Sequence, residues 1–448
     1  MHKAGYGNPL EAKRTLARSL LRKRIGAPAH DVAAEPISSD GAGSPKKTSL
    51  LGDATAKFEA QRAEMMQFVS ASPYFRPHLS TNAEVIELEE GPAVNFSGYN
   101  YLGLAGEPEV RRAAQDAIEQ YGTSCSASRV ASGETPLHAA LEREIADFLG
   151  QEDALVFNSG FGTNAATVAA LVGPKDGILH DSLMHASGLA GARLSGAARK
   201  AFHHNDLDHL EALLEQNRAL ADKMLIIVEG VYSMDGDVPD LDRLVRLASD
   251  HAASIMVDEA HSLGVLGATG RGLAEHCGVG GDAVDVWMGT LSKSLASCGG
   301  YIAGSRDLIE YLKYNADAFV YSCGLSPADT GAALAALRML KREPERVATL
   351  QSNASLFRER AVARGLEIGD SDSSAVVPII VGSSERALRL AERLNRQGVN
   401  VQPVFYPVVE ENKARLRFFI SYRHQPEQII DAVDAIGAGL SALSEATA

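Results

Sequence analysis

The chain has little cysteine and no long apolar run, and both shortages narrow the class of protein. Its four cysteines form no Cys-x-x-Cys pair and no zinc-like spacing with histidine, which excludes a disulfide framework and a zinc site and favours reduced thiols. They are Cys125, Cys277, Cys298 and Cys323. No stretch approaches the roughly 20 apolar residues that a membrane-spanning helix requires, and the N-terminus lacks the apolar core of a secretory signal. We therefore expect a cytoplasmic protein that holds no metal.

Basic residues are scarce overall but concentrated near the N-terminus. The formal net charge of −14 argues against nonspecific nucleic-acid binding, so we expect no nucleic-acid partner. Residues 1–25 carry seven basic side chains against Glu11, with a rough apolar stripe that predicts a helix starting near Pro9. Residues 26–49 are rich in Ala, Gly, Ser and Pro, which indicates a flexible linker. The extension over residues 1–50 is open to three interpretations: a disordered tail, a docking helix for an acidic partner or a membrane surface, and a mitochondrial presequence.

Short apolar segments alternate with helical stretches from about residue 90, as in a largely parallel sheet with crossover helices. The predicted strands of this sheet cover residues 153–157, 177–180, 200–203, 224–229, 254–258, 284–288 and 300–303. After Pro327 come two long helical stretches, followed by a strand (375–381), a helix (384–397), a strand (415–421) and a helix (426–443). We therefore predict an α/β protein with a large domain at 96–325 and a smaller α+β C-terminal domain at 326–448. A helical and strand segment at 51–95 precedes them.

A lysine between small hydroxyl residues is the most informative feature of the chain. Ser292-Lys293-Ser294 follows an apolar strand, and one strand–helix unit earlier another strand ends in Asp258, with His261 three residues later. A pyridoxal phosphate (PLP) enzyme needs both parts, because a lysine amine bonds the cofactor carbonyl and a carboxylate keeps the pyridine nitrogen protonated. The sequence therefore predicts PLP as the cofactor.

Three further loops follow predicted strands, where open parallel sheets bind their ligands. Gly160 and Phe161 lie in a glycine-rich turn into a helix, whose backbone N–H groups suit a phosphate. His185 and Ser233 lie in the other two loops, and a histidine at such a position could lie flat over a pyridine ring. Because all of these loops converge on one edge of the sheet, we expect them to form one site.

An alternating strand near the C-terminus offers a receptor for a carboxylate. Arg415, Arg417 and Phe419 share one face of this strand. A guanidinium fork matches a planar carboxylate with two parallel hydrogen bonds. The alternative is an edge-strand arginine that forms only a salt bridge.

Taken together and in order, these motifs resemble one family. The matching segments are Asn-Tyr-Leu-Gly (100–103), Ser-Gly-Phe (159–161), His-Ala-Ser (185–187), Glu-Gly-Val-Tyr-Ser-Met-Asp-Gly-Asp (229–237), Asp-Glu-Ala-His (258–261), Gly-Arg-Gly (270–272), the lysine motif and Arg-Leu-Arg (415–417). From about residue 55 to 443 the chain resembles the α-oxoamine synthases, PLP enzymes of fold type I that work as homodimers.

The resemblance implies a role for each candidate residue. Lys293 would hold PLP as a Schiff base, Asp258 would pair with the ring nitrogen, His261 with the phenolic oxygen, and His185 would stack on the ring. The implied phosphate-binding residues are Gly160, Phe161, Thr290 and Ser292, with Ser233 near the phosphate or ring oxygen. Arg417 would bind the amino-acid carboxylate, and Asn100 is a second candidate for substrate binding.

The family reaction condenses a small amino acid with an acyl thioester and releases CO₂ and a thiol, leaving an α-amino ketone. Tyr99-Asn100-Tyr101 and Ser292-Lys293-Ser294 resemble the serine palmitoyltransferase branch, whereas residues 406–409 resemble the glycine- and alanine-using members. We therefore expect serine first, with alanine and glycine as alternatives and a PLP aminotransferase as a rival class. The acyl carrier is coenzyme A or acyl carrier protein, and an acidic carrier protein would suit the basic residues 1–25.

Overall fold

The computed structural model describes residues 51–445, so the predicted helix near Pro9 and the predicted linker lie outside the described residues. The chain divides into a unit that ends at Gln61 and a compact unit that begins at Arg62. The first described element is α1 (Gly52–Met65). Next come an antiparallel pair, β1 (Val85–Leu88) and β2 (Gly91–Asn95), and two helices, α2 (Pro108–Tyr121) and α3 (Pro136–Leu149).

A seven-stranded sheet forms the centre of the larger unit. Its strands are β3 (Asp153–Phe157), β4 (Gly177–Asp181), β5 (Ala198–Phe202), β6 (Met224–Glu229), β7 (Ser254–Asp258), β8 (Val286–Thr290) and β9 (Gly300–Gly304). They lie in the order β3-β9-β8-β7-β6-β4-β5, and only β9 runs antiparallel to its neighbours. The prediction of a largely parallel sheet is confirmed. The other six strands therefore end at the same edge.

Helices cover both faces of this sheet, as buried parallel strands require. They are α4 (Gly160–Leu171), α5 (Ala186–Ser195), α6 (Leu207–Asn217), α7 (Leu241–Asp250), α8 (Leu273–Cys277), α9 (Arg306–Asn315) and α10 (Asp317–Val320). Alternate residues of one strand enter different cores: Ile226 and Val228 pack in the core that contains α6 and α7. Leu225 and Ile227 pack in the core that contains α4, α5 and α9. This alternation fixes which side chains of each strand point toward each helical layer.

Side-chain caps fix where many of the helices begin. The capping side chains, each of which accepts a backbone N–H bond in the first turn, are Ser159, Asp206, Asp240, Ser305, Ser326 and Ser383. Such caps satisfy donors that the first turn of a helix leaves without a partner.

The C-terminal part of the chain forms an α+β layer. Its elements are α11 (Pro327–Arg342), α12 (Glu345–Ala363), β10 (Val376–Gly382), α13 (Ser384–Arg396), β11 (Val399–Asn400), β12 (Gln402–Val404), β13 (Ala414–Phe419) and α14 (Pro426–Glu445). Strands β10, β13 and β12 make an antiparallel sheet, while β11 pairs with β2. The N-terminal strands thus belong to the same small sheet as a C-terminal strand. None of the helices described between residues 51 and 445 has the length and apolar character needed to cross a bilayer.

The structure differs from the predicted strand boundaries in one informative place. The predicted strand at 284–288 is shifted to β8, Val286–Thr290, because Gly289 and Thr290 pair with Tyr301 and Gly300 of β9. This pairing makes Thr290 the last residue of the strand, so the chain leaves the sheet three residues before Lys293.

The buried ion pair beneath β3 provides a test of the fold. The carboxylate of Glu142 on α3 accepts bonds from the Arg129 guanidinium and from the Val156 N–H, at 2.9 Å for the latter. Its neighbour Glu144 pairs instead with Arg338 and Lys341 at the surface. Replacing Glu142 by Ala leaves the buried Arg129 with only the more exposed carboxylate of Glu134 and removes the acceptor of the Val156 N–H, so we expect a loss of about 3 kcal/mol in the free energy of unfolding.

Glu144→Ala is the matched control, and we expect it to cost less than about 1 kcal/mol because exposed pairs contribute little. Chemical unfolding followed by circular dichroism measures both changes. Equal losses for the two variants would contradict the structural role of Glu142.

Candidate active site

A cavity of about 330 Å³ lies at the edge where β4, β6, β7 and β8 end. Of the eleven predicted site residues, ten line it: His185, Asp258, His261, Lys293, Gly160, Phe161, Ser233, Thr290, Ser292 and Arg417. The convergence that the sequence predicted is therefore present.

Asp258, the last residue of β7, is held by two donors. Its Oδ2 accepts a hydrogen bond from Asn164 Nδ2 at 2.7 Å, and its Oδ1 accepts one from the Ala260 N–H at 3.0 Å. The same amide nitrogen of Asn164 also lies 2.9 Å from Ser187 Oγ. Donors on both oxygens fix the direction of the carboxylate.

Lys293 lines the same cavity and is half-buried. Burial lowers the pKa of its ammonium from 10.5 to about 8, and the neighbouring carboxyl groups of Asp258 and Glu229 oppose this shift only in part. Its Nζ lies 5.7 Å from the centre of the Tyr99 ring. Because the amine loses its proton more easily than a free lysine, it is suited to nucleophilic attack on a carbonyl.

Two histidines flank the cavity, and hydrogen bonds orient both rings. His261 Nδ1 lies 2.7 Å from the hydroxyl of Tyr101, and its ring stacks against Phe419 at 6.2 Å. His185 Nδ1 lies 2.6 Å from Ser187 Oγ. Burial, assisted by the charge of Lys293, lowers the pKa of His261 well below its usual value, so this imidazole is neutral near pH 7.

The start of α4 and the end of β8 form a cradle for an anion. Gly162 N–H donates to the side chain of Ser159, and the first bond within the helix comes from Thr163 N. The N–H groups of Gly160 and Phe161 therefore lie before the first hydrogen bond of the helix, and they can donate to a ligand. Across from them, the hydroxyls of Thr290 and Ser292 lie 2.8 Å apart. A Cβ atom at Gly160 would approach Thr290 Oγ1 to 3.0 Å, so glycine keeps this space open.

The two arginines of β13 have separate tasks, although the sequence left open which was structural. Arg415 is buried and bonded to Asp235 and to the Met234 carbonyl. Arg417 lines the cavity and donates to the Ser233 carbonyl at 2.7 Å, while its Nε is buried without a protein partner. The unpaired N–H of Arg417 calls for an acceptor from a ligand, whereas Arg415 forms the salt bridge.

Asn100 is the predicted residue that the structure does not place on the cavity wall. Its Nδ2 donates to the Asn82 carbonyl, and its Oδ1 accepts the Ala105 N–H. Both ends of the amide are thus engaged with backbone. This differs from the expectation that Asn100 binds substrate: in the structure it holds the turn that carries Tyr99 and Tyr101.

Seven residues of the cavity wall were not predicted as site residues from the sequence. They are Tyr99, Asn164, Ser187, Glu229, Met234, Ala260 and Met288. Glu229 had a local signal, because it ends a buried strand next to the strand that carries Asp258. Asn164 had none, since an asparagine inside a glycine- and alanine-rich helix has no distinctive pattern.

Comparisons with known proteins agree with this geometry. Residues 92–436 match the family described as aminotransferase class I and II. The chain is 40% identical over 351 residues to 8-amino-7-oxononanoate synthase of Methylococcus capsulatus, covering 78% of this chain and 90% of that protein. It is 37% identical over 361 residues to serine palmitoyltransferase of Sphingobacterium spiritivorum, covering 81% of this chain and 90% of that protein.

Solved structures give the same result. Serine palmitoyltransferase of Sphingomonas wittichii superposes with a TM-score of 0.84 at 28% identity, over 89% of this chain and 99% of that chain. Another serine palmitoyltransferase structure, with a TM-score of 0.83 at 28% identity over 89% of this chain and all of that one, contains PLP as its internal aldimine. Fold and cavity define a PLP-dependent enzyme of fold type I. The chain belongs to the α-oxoamine synthase family, whose cofactor is PLP.

The residues of the cavity fit this cofactor. A neutralisable amine, a carboxylate fixed by two donors and a glycine cradle at a helix N-terminus match the aldehyde, ring nitrogen and phosphate of PLP.

Capture of PLP by cofactor-free enzyme should depend on pH as the Lys293 amine does. The neutral fraction of Lys293 rises through pH of about 8, so the capture rate should rise there and level off above it, well below the 10.5 of free lysine. Stopped-flow absorbance measures this rate. Asp258→Asn removes a charge that raises the Lys293 pKa, so the midpoint should move lower. A rate that rises only near pH 10.5 would contradict the low pKa.

Proposed function

We propose that the protein condenses a small L-amino acid, serine before alanine or glycine, with an acyl thioester, releasing CO₂ and the free thiol and leaving an α-amino ketone. One observation carries the proposal: a half-buried lysine of low pKa, a fixed carboxylate and an arginine with an unpaired N–H line the same cavity. This combination accommodates an amino acid by its carboxylate while its α-carbon lies near a base.

The proposed cofactor contacts follow from the position of each group. Lys293 holds PLP through its amine, Asp258 faces the ring nitrogen, His261 faces the phenolic oxygen, and His185 covers the ring. The proposed phosphate ligands are Gly160, Phe161, Ser233, Thr290 and Ser292. Bound PLP supplies a carbonyl for amine exchange and an electron sink for negative charge at the α-carbon.

The chain's own groups then bind, orient and move protons. Arg417 holds the amino-acid carboxylate, guided by its bond to the Ser233 carbonyl. Lys293 Nζ, neutral at mildly alkaline pH, accepts the α-proton. The fixed negative charge of Asp258 favours a proton on the nitrogen that it faces, which strengthens the electron sink.

Two sets of residues bear on the choice of amino acid, and they differ in position. Tyr99 and Ser292, which resemble the serine-using branch, line the cavity, whereas Ser294 is buried and donates to the Leu263 carbonyl. Tyr406 and Val408, which resemble the alanine- and glycine-using members, are exposed and are not among the residues that line the cavity. The residues nearest the substrate thus favour serine.

A PLP aminotransferase is the alternative within the same fold, because it would share Lys293 and Asp258. It would neither release CO₂ nor depend on a thioester. Similarity to two α-oxoamine synthases of different substrate over about four fifths of the chain favours the synthase.

The proposal extends to partners and location. We propose a homodimer in the cytoplasm, and an acyl carrier protein as thioester donor that contacts the basic residues 1–25. Peripheral membrane contact through the same residues is the competing role. Opposite charges raise the rate of encounter with an acidic carrier and lose effect in high salt.

An amino-acid by acyl-thioester screen tests the function. L-Serine should give faster CO₂ release than L-alanine or glycine, because Tyr99 and Ser292 line the wall, and mass spectrometry should identify the amino ketone. Each acyl group is offered on coenzyme A and on acyl carrier protein. Faster turnover of alanine or glycine would overturn the serine assignment, and turnover without CO₂ would overturn the synthase assignment.

Replacing Arg417 by Ala should weaken amino-acid binding by about 2 kcal/mol, or roughly 30-fold in Kd, because a charged hydrogen bond is lost. Titration of the cofactor absorbance with L-serine measures the affinity. Arg417→Lys keeps the charge but not the fork, so it should recover only part of the loss.

Arg415→Ala is the neighbouring control, because Arg415 serves the Asp235 salt bridge. It should lower the melting temperature with a smaller effect on Kd. An unchanged Kd in Arg417→Ala would move the carboxylate site elsewhere.

A further inference from the structure

Glu229 is a buried acid of the cavity to which the proposed roles assign no task. It ends β6 directly beside Asp258 at the end of β7, and the two residues are register partners in the sheet. Their side chains therefore lie on the same face. Glu229 is 4% exposed and Asp258 7%, and both line the cavity.

Two neighbouring buried carboxyls rarely both carry charge, because each raises the cost of ionising the other. Asp258 accepts a hydrogen bond on each of its oxygens, from Asn164 Nδ2 and from the Ala260 N–H. Burial, and then the charge of Asp258, raises the pKa of Glu229 to about 8, although Lys293 and the backbone N–H groups of His185 and Ser233 oppose this. The pair thus separates into a carboxylate and an acid near neutral pH.

The other charged and titratable groups near Glu229 do not change this assignment, in which Asp258 is the carboxylate and Glu229 the acid. Tyr232 lies beside it in the following loop, and burial raises the pKa of this phenol well above its usual value, so it stays neutral. Asp181, at the end of β4, is bonded to His204 and to the Asn205 N–H. Lys293 is the cation that acts on Glu229.

Ser233 connects Glu229 with the carboxylate receptor. Arg417 donates to the carbonyl of Ser233, while the N–H of the same residue acts on Glu229. An amino acid held at Arg417 therefore lies near the Glu229 side chain. Glu229 and the carboxylate receptor Arg417 are thus joined through one residue of the cavity wall.

We propose that Glu229 is an uncharged acid in the resting enzyme and that its O–H donates to the thioester carbonyl oxygen as this oxygen gains negative charge. In that step the C–C bond to the amino acid forms, the C–S bond breaks, and the thiolate leaves, while Glu229 keeps its proton. A donor directed at a developing oxyanion in a dry site stabilises the transition state. This inference rests on the proposed function.

Two variants of the holoenzyme test the inference. Glu229→Gln keeps an uncharged donor, so its kcat should stay within about tenfold of wild type, whereas Glu229→Ala should lose about 100-fold, as removal of an oxyanion donor does. In wild type, kcat should fall above pH of about 8 as the acid ionises, and Glu229→Gln should lack this decline.

Infrared difference spectra give a readout that does not depend on turnover. At neutral pH the wild-type spectrum should contain the carbonyl stretch of a protonated carboxyl that Glu229→Gln lacks. Glu259→Gln is the matched control: Glu259 is a buried neighbour of Asp258 that binds the Leu273 N–H and Ser262, and it is not among the cavity residues. It should remove a different band and keep the alkaline decline.

An infrared spectrum of Glu229→Gln identical to wild type, or a Gln variant as slow as the Ala variant, would overturn the inference. If the variants do not fold, NMR titration of wild-type enzyme carrying ¹³C at glutamate carboxyls decides: besides Glu259, whose pKa burial raises to about 7, a second carboxyl must titrate near pH 8. Borohydride reduction distinguishes a failure of this inference from a failure of the proposed function. A holoenzyme in which borohydride does not fix PLP on Lys293 refutes the proposed function. Fixation of PLP together with an infrared spectrum that Glu229→Gln leaves unchanged refutes only the role of Glu229.

Discussion

Hydrogen bonding between the parallel strands β4, β6, β7 and β8 is the constraint on which the site depends. It brings the ends of strands that are far apart in sequence to one edge and aligns Glu229 with Asp258. The antiparallel strand β9 then extends β8 to Thr290, from which the chain turns to Lys293. Because each catalytic candidate lies at or just past a strand end, its position is as rigid as the sheet.

Burial and mutual proximity make the pKa values of these groups depend on one another. The cavity is lined by the basic groups Lys293 and Arg417 and by the acids Asp258 and Glu229. Asp258 raises the pKa of both Lys293 and Glu229, so a change at this one residue alters the protonation of two others. Asn164, a neutral donor, holds the Asp258 carboxylate in place.

The sequence was a good guide where function has a local pattern. Lys293, Asp258 and His261 each follow an apolar strand, so position and chemistry were predictable together. Asn164 was missed because its contact with Asp258 spans 94 residues of chain. Asn100 was misplaced because a motif does not show which way an amide points. The strands β11 and β12 were missed because two and three residues are too few to show an alternating pattern.

In the proposed scheme Arg417 holds the amino-acid carboxylate while other wall residues contact the rest of the substrate, and this division bears on evolution. An α-carboxylate is common to every amino acid, so a receptor such as Arg417 is indifferent to the side chain that follows. Discrimination therefore falls to wall residues such as Tyr99 and Met234, which take no part in holding the cofactor in the proposed scheme. Drift at those positions can exchange one substrate for another while the reaction machinery stays intact, so closely related chains can diverge into separate metabolic routes through a few substitutions.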